Sequence, residues 1–479
     1  MKRKNIVYVL SRLWIIAGMF FILPLCFSVY YKDGIHYHFI LIAIGILILS
    51  GLVWPFGSKP KELTTKEGFL LVNLCWISFT FFGCLPFLTT GSIESLTDAF
   101  FESMSGFTTT GATILRDIEI LPKSLLLWRN MTQWLGGMGV IALAVAIFPF
   151  TGMGGSHLFK AEVPGPSKDK VSSRIRDTAK LLWGVYLIFT IAQTIMLMLA
   201  GANFFDSLCI TFGTMATGGF APLNASIGHF SSPYVHYITI LFMTLAGINF
   251  NLHYWALRGK PVHYFKNPEL RLFLSIIMCS TIFIVLIRFF AGTELSEETV
   301  RDSLFQTVSL ITTTGFITKD YELWPAATQI VLFLLMFAGG CASSTGGAIK
   351  SVRILVLFKY IGGEVKKLFY PRGVFPIKLE GKLVPENLVS NIMAFVMLYI
   401  LFFIFGTIVV SSLGMDILSA AGAVATTLGN VGPGLGTVGP VDNFADVPVL
   451  AKWILSFLML AGRLEIFTIV VLFTGRFWK

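Results

Sequence analysis

Four short stretches of the chain combine threonine or another uncharged residue with glycine, a pattern suited to holding a cation through the backbone. Glycine permits backbone angles that other residues rarely adopt, so the chain can turn there. A ring of backbone carbonyls can replace the hydration shell of a monovalent cation without placing a formal charge in its path. We therefore predict a cation filter built from the following stretches: Thr109-Thr110-Gly111, Ala216-Thr217-Gly218, Thr313-Thr314-Gly315 and Asn430-Val431-Gly432.

The segment before each stretch is apolar, about 11–13 residues long, and too short to cross a bilayer. An acidic residue near the start of each segment is placed to cap a helix or to complement its dipole: Asp98, Asp206, Asp302 and Asp416. The pattern predicts four re-entrant half-helices whose C-terminal ends point into the membrane. A single Thr-Gly pair is usually an ordinary turn, but four pairs at matching positions indicate an internal repeat.

The composition is that of a membrane protein. The chain has 479 residues, of which 55% are hydrophobic and 13% are charged, whereas a soluble protein carries roughly 25% charged residues. A cytosolic enzyme, a secreted disulfide scaffold and a disordered chain are thereby excluded. We predict an all-α polytopic membrane protein with ten spans of about 20 residues each. The predicted spans are 6–30, 38–56, 68–90, 127–149, 180–200, 234–257, 271–291, 326–349, 388–413 and 448–474.

The positions of the charges predict the orientation of the chain. Its formal net charge is +10. With a cytoplasmic N-terminus, most Lys and Arg residues fall in cytoplasmic segments and both termini are cytoplasmic, as the positive-inside rule requires. The charge therefore indicates topology and no nucleic-acid partner. Acidic residues, including Asp98, Glu102, Asp302 and Asp442, fall on the outer face, where we expect a vestibule that concentrates cations.

The repeat divides the chain into two extra spans and four units of span, short segment, glycine turn and span. We predict two extra N-terminal transmembrane helices in residues 1–62 and the first repeat in residues 63–156. The second repeat covers 157–262, the third, with an intramembrane gate loop, 263–375, and the fourth 376–479. Four repeats around one axis bring the glycine stretches together at a central pore.

The eighth predicted span contains, after Phe337, a run of small or weakly polar residues. Each Gly costs about 1 kcal/mol in a helix interior, so several together predict a break or hinge in mid-membrane. The alternative is a continuous helix whose small residues allow close helix packing. The candidate gate residues in this run are Gly339, Gly340, Ser343, Ser344, Thr345, Gly346 and Gly347.

The last predicted span carries Arg463 near the middle of the membrane. A charge there costs about 2.5–3.5 kcal/mol or more, so it normally faces protein or water and has a role. Two roles are open: an electrostatic barrier in the pore that contacts the gate segment, or a structural bridge to a carbonyl or another repeat. Glu465 points elsewhere on a straight helix. Lys350 and Arg353 are expected to snorkel to the cytoplasmic edge.

No catalytic or metal-binding constellation is readable in the sequence. The six Cys and seven His residues lack disulfide or metal-ligand spacing, and no nucleotide-binding motif is found. We therefore expect no enzyme activity, no bound cofactor and no nucleic-acid partner.

The sequence resembles the Trk/Ktr/HKT superfamily of potassium transporters over its whole length. Four motifs carry the resemblance: Ser105-Gly-Phe-Thr-Thr-Thr-Gly111, Met215-Ala-Thr-Gly-Gly219, Ile311-Thr-Thr-Thr-Gly-Phe316 and Gly429-Asn-Val-Gly-Pro433. The two extra N-terminal spans make the chain similar to the TrkH-type subunits of that superfamily. The resemblance implies four membrane–pore–membrane repeats, K⁺ as the transported ion, a homodimer, the bacterial inner membrane and a cytoplasmic nucleotide-binding regulator of the TrkA type.

The resemblance also bears on selectivity and gating. It implies that Gly111 favours K⁺ over Na⁺, and that the 338–347 segment and Arg463 obstruct the pore. Two departures from a repeated threonine pair, Ala216 in the second stretch and Asn430-Val431 in the fourth, predict a filter with unlike side chains and weaker selectivity over Na⁺.

The predicted function is therefore K⁺ uptake across the bacterial cell membrane through a gated pore. The alternative is a K⁺/H⁺ or K⁺/Na⁺ symporter with the same fold. Such a symporter needs a titratable intramembrane residue, for which Arg463 with Glu465 is the sole candidate. A membrane-embedded enzyme needs a catalytic cluster, and a non-conducting scaffold has no use for four filter-like turns.

Overall fold

The computed structural model describes residues 3–59, 63–146 and 168–479, with side chains described except at 140–146 and 168–178. The described chain is mostly helical, which confirms the predicted all-α class. Two pairs of two-residue strands interrupt the helices. Ala338–Gly339 lies parallel to Ile349–Lys350, and Lys378–Leu379 lies antiparallel to Lys382–Leu383.

The helices follow one another with short connections. The α-helices are Arg3–Phe20, Ile22–Tyr31, His36–Val53, Thr65–Thr89, Leu96–Phe107, Lys123–Ala146, Lys168–Leu199, Phe204–Met215, Pro233–Gly247, Phe250–Leu257, Val262–Lys266, Pro268–Phe290, Glu297–Ile311, Ala326–Leu335, Ser351–Phe369, Glu386–Ser412, Ile417–Gly429, Val449–Arg463, Phe467–Val470 and Gly475–Trp478. The 3₁₀ helices are Trp54–Phe56, Ser226–His229, Tyr321–Leu323, Gly436–Val438 and Val471–Phe473.

Several helices are long and apolar enough to cross a membrane. Among the described residues there are six of them, or up to eight crossings if two bent helix pairs are each counted as one. The six correspond to the predicted spans 6–30, 38–56, 68–90, 180–200, 271–291 and 388–413. The helix Lys123–Ala146 occupies the predicted span 127–149, whose last three residues lie outside the described part of the chain. The chain is a multi-pass membrane protein.

The predicted span 234–257 is bent, and the expectation of one continuous helix there is wrong. It turns by 103° between Pro233–Gly247 and Phe250–Leu257. The carbonyl of Gly247 accepts a hydrogen bond from the N–H of Cys341 (2.8 Å), so it does not continue the helix. Hydropathy cannot reveal this break, because the group that captures the carbonyl lies far away in the sequence.

The last predicted span, 448–474, is also bent, by 110° between Val449–Arg463 and Phe467–Phe473. The turn contains two non-glycine residues with positive φ, Glu465 at 58° and Ile466 at 40°, which is uncommon for such side chains. A continuous helix is therefore wrong here too, and the bend comes directly after Arg463.

The break expected in the eighth predicted span is present. The helix Ala326–Leu335 ends two residues before Phe337, and regular helix resumes only at Ser351. We call residues 336–350 the intramembrane loop. The pairing of Ala338–Gly339 with Ile349–Lys350 brings its two ends together.

Four short helices match the predicted half-helices and lie at the centre of the molecule: Leu96–Phe107, Phe204–Met215, Glu297–Ile311 and Ile417–Gly429. Each begins at a side chain that accepts a hydrogen bond from the N–H three residues later, and these caps are Ser95, Asn203, Ser296 and Asp416. The six long helices are only 22–44% buried over their most apolar windows, whereas every residue of 101–110 is buried. The long helices therefore surround the short ones.

One of the four acidic residues does not lie where the pattern places it. Asp98 and Asp206 are in the first turn of their helices, and Asp416 is itself the cap. Asp302 lies in the second turn of its helix, is only 2% exposed, and accepts a hydrogen bond from Thr318 Oγ1 (3.1 Å). Its expected role at the helix start is therefore wrong.

Candidate functional site

Each short helix ends in the same backbone turn. The N–H of one residue donates to the carbonyl three residues earlier, and the next N–H donates to the carbonyl five residues earlier. The first of these residues always has a positive φ: Thr109 (51°), Thr217 (52°), Thr313 (58°) and Asn430 (53°). Two residues later comes a glycine whose φ is also positive: Gly111 (87°), Gly219 (80°), Gly315 (80°) and Gly432 (104°).

The second turn lies one residue later than the stretch predicted from sequence. By hydrogen bonds and φ angles, the residues that correspond to Thr109-Thr110-Gly111 are Thr217-Gly218-Gly219. Ala216 therefore is not opposite Thr109, and a threonine occupies this position in three turns. The double glycine Gly218-Gly219 is the sequence feature that permits this register, because either glycine could adopt the positive φ.

The four turns form a closed ring, which we call the carbonyl ring. Each positive-φ glycine lies against a carbonyl of the next turn: Gly111 against Gly218, Gly219 against Thr314, Gly315 against Val431, and Gly432 against Thr110. A Cβ at Gly432 would lie 2.8 Å from the Thr110 oxygen, and the other three would be closer still. Glycine is therefore required at these positions for both space and conformation.

Two buried amide side chains tie the carbonyl ring to its surroundings; sequence reasoning missed Gln133 and assigned Asn430 to the filter for its carbonyl alone. Gln133 donates from Nε2 to the carbonyl of Gly218 (2.5 Å) and accepts at Oε1 from the N–H of Phe220 (2.9 Å). Asn430 donates from Nδ2 to Thr110 Oγ1 (3.0 Å) and to the carbonyl of Met459 (2.9 Å). Asn430 thus joins the fourth turn to the first.

A buried ion pair lies behind the first two turns. Arg129 Nε is 2.7 Å from Glu102 Oε1, and both side chains are at most 1% exposed. Arg129 Nη1 also donates to the carbonyl of Ala221 (3.1 Å), and Glu102 Oε2 accepts from the N–H of Ile114 (2.9 Å). The pair therefore links the segment after the first turn, at Ile114, to the segment after the second turn, at Ala221. The sequence suggests that Glu102 lines an outer vestibule, but its side chain is buried in this ion pair.

A cavity of about 150 Å³ opens at the glycine end of the carbonyl ring. All four positive-φ glycines line it, and Asp442 lies among its walls. The charged residues of its lining are Arg116, Arg129 and Asp442, so the cavity combines charges of both signs next to the positive-φ glycines of the ring.

The intramembrane loop lies against the other end of the carbonyl ring, where the short helices terminate. The N–H of Gly347 donates to Thr313 Oγ1 (2.7 Å), and the N–H of Ala348 donates to the carbonyl of Gly429 (3.0 Å). Thr345 Oγ1 donates to the carbonyl of Met215 (3.0 Å). The loop therefore contacts three of the four short helices at their ends.

The seven candidate gate residues all belong to this loop. Six of them are buried: Gly339, Gly340, Ser344, Thr345, Gly346 and Gly347. Ser343 is partly exposed, has a φ of 58°, and accepts at its carbonyl from the N–H of Phe250 (3.2 Å). The loop is thus packed into the interior by hydrogen bonds on several sides.

Arg463 connects the intramembrane loop to a membrane-crossing helix. The side chain is 3% exposed. Nη1 donates to the carbonyl of Thr345 (2.7 Å), and Nη2 donates to the carbonyl of Gly136 (3.2 Å). Arg463 therefore makes the hydrogen bonds to backbone carbonyls that a structural bridge requires. One of these carbonyls, that of Thr345, belongs to the loop.

Lys350 and Arg353 do not snorkel to the membrane edge. Lys350 is 8% exposed and its Nζ donates to the carbonyl of Gly346, whereas Arg353 is 3% exposed and pairs with Glu465. The Arg353 guanidinium also lies 3.9 Å from the centre of the Phe395 ring. The snorkelling expectation is wrong because each cation has a partner that helix periodicity alone does not reveal. Glu465 indeed points away from Arg463.

Comparison with known proteins identifies the family. Residues 35–479 match the TrkH family, described as cation transport protein. The Trk system potassium uptake protein TrkH of Escherichia coli (strain K12) is 42% identical over 467 residues, which are 96% of this chain and 95% of that protein. The chain belongs to the TrkH family of cation transport proteins.

Other members of the TrkH family support the same assignment. The Trk system potassium uptake protein TrkH of Vibrio parahaemolyticus is 40% identical over 487 residues, with both chains fully covered. The crystal structure of the potassium transporter TrkH from Vibrio parahaemolyticus has a TM-score of 0.92 and 38% identity, over 100% of both chains. The family resemblance carried by the four glycine motifs is thereby confirmed.

The buried ion pair of this TrkH-family chain yields a stability prediction. Arg129→Met leaves the Glu102 carboxylate buried without its charged partner, and we expect a loss of about 3–5 kcal/mol of stability. The thermal unfolding midpoint of the purified protein in detergent measures this loss. Lys367→Met is the control, because the Lys367–Glu364 pair (2.7 Å) is exposed on both sides and exposed ion pairs contribute little to stability. Equal midpoints for the two variants would contradict a structural role for Arg129.

Proposed function

We propose that the chain carries K⁺ into the bacterial cell through the carbonyl ring, with the intramembrane loop and Arg463 as the gate. The observation that carries this proposal is the closed ring of four glycine turns without an ionisable side chain. Backbone carbonyls in such a ring replace the water around a monovalent cation, whereas a divalent-selective pore more often has a ring of carboxylates. The names of the relatives, potassium uptake protein and potassium transporter, support K⁺ as the ion.

The proposed filter consists of four stretches, one from each predicted repeat. They are Thr109-Thr110-Gly111, Thr217-Gly218-Gly219, Thr313-Thr314-Gly315 and Asn430-Val431-Gly432. The side chains differ between stretches, but each presents its backbone in the same conformation. A cation enters from the cavity at the glycine end and leaves at the end occupied by the loop.

The proposed gate acts by displacement of the intramembrane loop. In the arrangement described, the loop is hydrogen-bonded at the ends of three short helices, where an ion that has crossed the proposed filter would leave it. Conduction therefore requires the loop to move. Arg463 opposes conduction in two ways: its hydrogen bond to the carbonyl of Thr345 holds the loop in place, and its charge repels a cation that leaves the filter.

The cellular setting follows from the same proposal. We expect a multi-pass protein of the bacterial inner membrane with cytoplasmic termini, since the positive-inside rule places most Lys and Arg residues on that side. A homodimer and a cytoplasmic nucleotide-binding regulator of the TrkA type are the expected partners. The four-repeat division of the chain, at 63–156, 157–262, 263–375 and 376–479, belongs to the proposal as well.

Symport of K⁺ with H⁺ or Na⁺ is the competing mechanism. The carboxylate that sequence reasoning offers for coupling, Glu465, forms an ion pair with Arg353. K⁺ flux in proteoliposomes distinguishes the mechanisms: flux that follows the K⁺ gradient alone, without dependence on the H⁺ or Na⁺ gradient, excludes obligatory symport.

The selectivity of the proposed filter can be tested at Gly111. In Gly111→Ser a side chain must enter a position with a φ of 87° that already touches the carbonyl of Gly218. The carbonyl ring is displaced, and we expect the K⁺/Na⁺ permeability ratio in proteoliposomes to fall about tenfold, equivalent to about 1.4 kcal/mol. Gly91→Ser is the control, since Gly91 has a φ of 71° but no atom near the added Cβ. Unchanged selectivity in Gly111→Ser would remove the filter assignment.

The proposed gate can be tested at Arg463. Arg463→Gln removes the charge and weakens the hydrogen bond to the loop, so we expect K⁺ flux into proteoliposomes to rise about tenfold. Arg288→Gln is the matched control: Arg288 is also buried and donates to a backbone carbonyl, that of Thr299 (3.2 Å), but it does not contact the loop. If Arg463→Gln leaves the flux at the wild-type level, Arg463 is no part of the gate.

A further inference from the structure

A buried carboxylate that the proposed function does not use lies beside the intramembrane loop. Glu269 is in the first turn of the helix Pro268–Phe290 and is 6% exposed. The start of that helix is already capped by Asn267, whose side chain accepts from the N–H of Leu270 (2.8 Å). The Glu269 carboxylate is therefore available for a different contact.

Glu269 holds the chain at two points on either side of the part of the loop that touches the carbonyl ring. Its Oε1 atom accepts from the N–H of Ala342 (2.6 Å) and from the N–H of Val352 (3.1 Å). These residues are 73 and 83 positions away in the sequence. Between them lie Thr345 and Gly347, which contact the ends of the short helices.

The contact differs in kind from the other supports of the loop. Thr313 holds the loop from the carbonyl ring and Arg463 holds it through the carbonyl of Thr345, whereas Glu269 accepts two backbone N–H groups at the base of the loop from the helix Pro268–Phe290. Hydrogen bonds to a charged acceptor are stronger than neutral ones, and a buried N–H that loses its acceptor is destabilising. Loss of this carboxylate oxygen leaves two backbone donors without this acceptor: the buried N–H of Ala342 and the partly buried N–H of Val352.

We propose that Glu269 is a positioning residue that clasps the base of the intramembrane loop and keeps the loop against the carbonyl ring. This proposal rests on the proposed function in one respect, namely that the loop is the gate. The clasp itself is a statement about where the loop lies, and it can be measured without ion flux.

Cys341, next to Ala342, provides a native reporter of the loop position. Its side chain is 1% exposed. The experiment uses the full chain with the other five cysteines (Cys26, Cys75, Cys84, Cys209 and Cys279) replaced by serine or alanine. The rate of labelling by a water-soluble maleimide and the K⁺ flux in proteoliposomes are both measured. In Glu269→Ala the loop loses its clasp, and we expect labelling of Cys341 and K⁺ flux each to rise about tenfold.

Two further variants separate the position of the acceptor oxygen from charge and folding. Glu269→Asp keeps the charge at the helix start but withdraws the oxygen from both N–H groups, so we expect faster labelling. Glu269→Gln keeps an acceptor oxygen in place but makes weaker, neutral hydrogen bonds, so we expect labelling faster than in the wild type and slower than in Glu269→Asp. Glu386→Ala, at an exposed first-turn glutamate of the helix Glu386–Ser412, is the control.

The outcomes distinguish the clasp from the gate. Unchanged labelling in Glu269→Asp overturns the clasp, even if Glu269→Ala does not fold. Higher flux without faster labelling also overturns it, since Glu269 then acts away from the loop. Faster labelling without higher flux supports the clasp but shows that the loop is not the gate, which is a failure of the proposed function alone.

Discussion

One contact, made four times, determines the arrangement of the whole molecule: a glycine of one turn lies against a backbone carbonyl of the next turn. Because no side chain fits there, the short helices must all end in the same backbone conformation and at the same ring. Irregular backbone inside a membrane is stable only where protein or a water-filled cavity surrounds it. The long helices provide that enclosure. Side-chain amides such as that of Gln133 form hydrogen bonds with backbone groups that have no partner within the turns.

The buried charges connect segments that are distant in sequence. Arg129 links the segments that follow the first two turns, Arg353 links the first turn of the helix Ser351–Phe369 to the bend after Arg463, and Arg463 links the loop to the helix Lys123–Ala146. A buried pair gains little net stability over an apolar one, but it fixes geometry because either charge alone is costly. In this chain such pairs act on the parts that must stay in register: the turns, the loop and the last helix.

The sequence predicts those features that depend on local composition, and it fails where a partner comes from elsewhere in the chain. Hydropathy and length locate the long helices and the four short ones, and clustered glycines locate the break after Phe337. The bend after Gly247 is not predicted from the sequence, because it depends on a hydrogen bond from the N–H of Cys341. The second turn is predicted one residue too early, because spacing does not show which of Gly218 and Gly219 has the positive φ. Glu269 gives no signal at all in the sequence.

A carbonyl ring supplied by one chain differs from a ring built by four identical subunits. Its four equivalent middle positions are Thr110, Gly218, Thr314 and Val431, so no rotation maps the ring onto itself at the level of side chains. In a symmetric tetramer any substitution is imposed on all four sides together. Here a substitution is made in one turn only, and it acts on its neighbour through the contact between glycine and carbonyl without being repeated on the other sides. Ion preference in such a protein can change during evolution by small independent steps, each tolerable by itself.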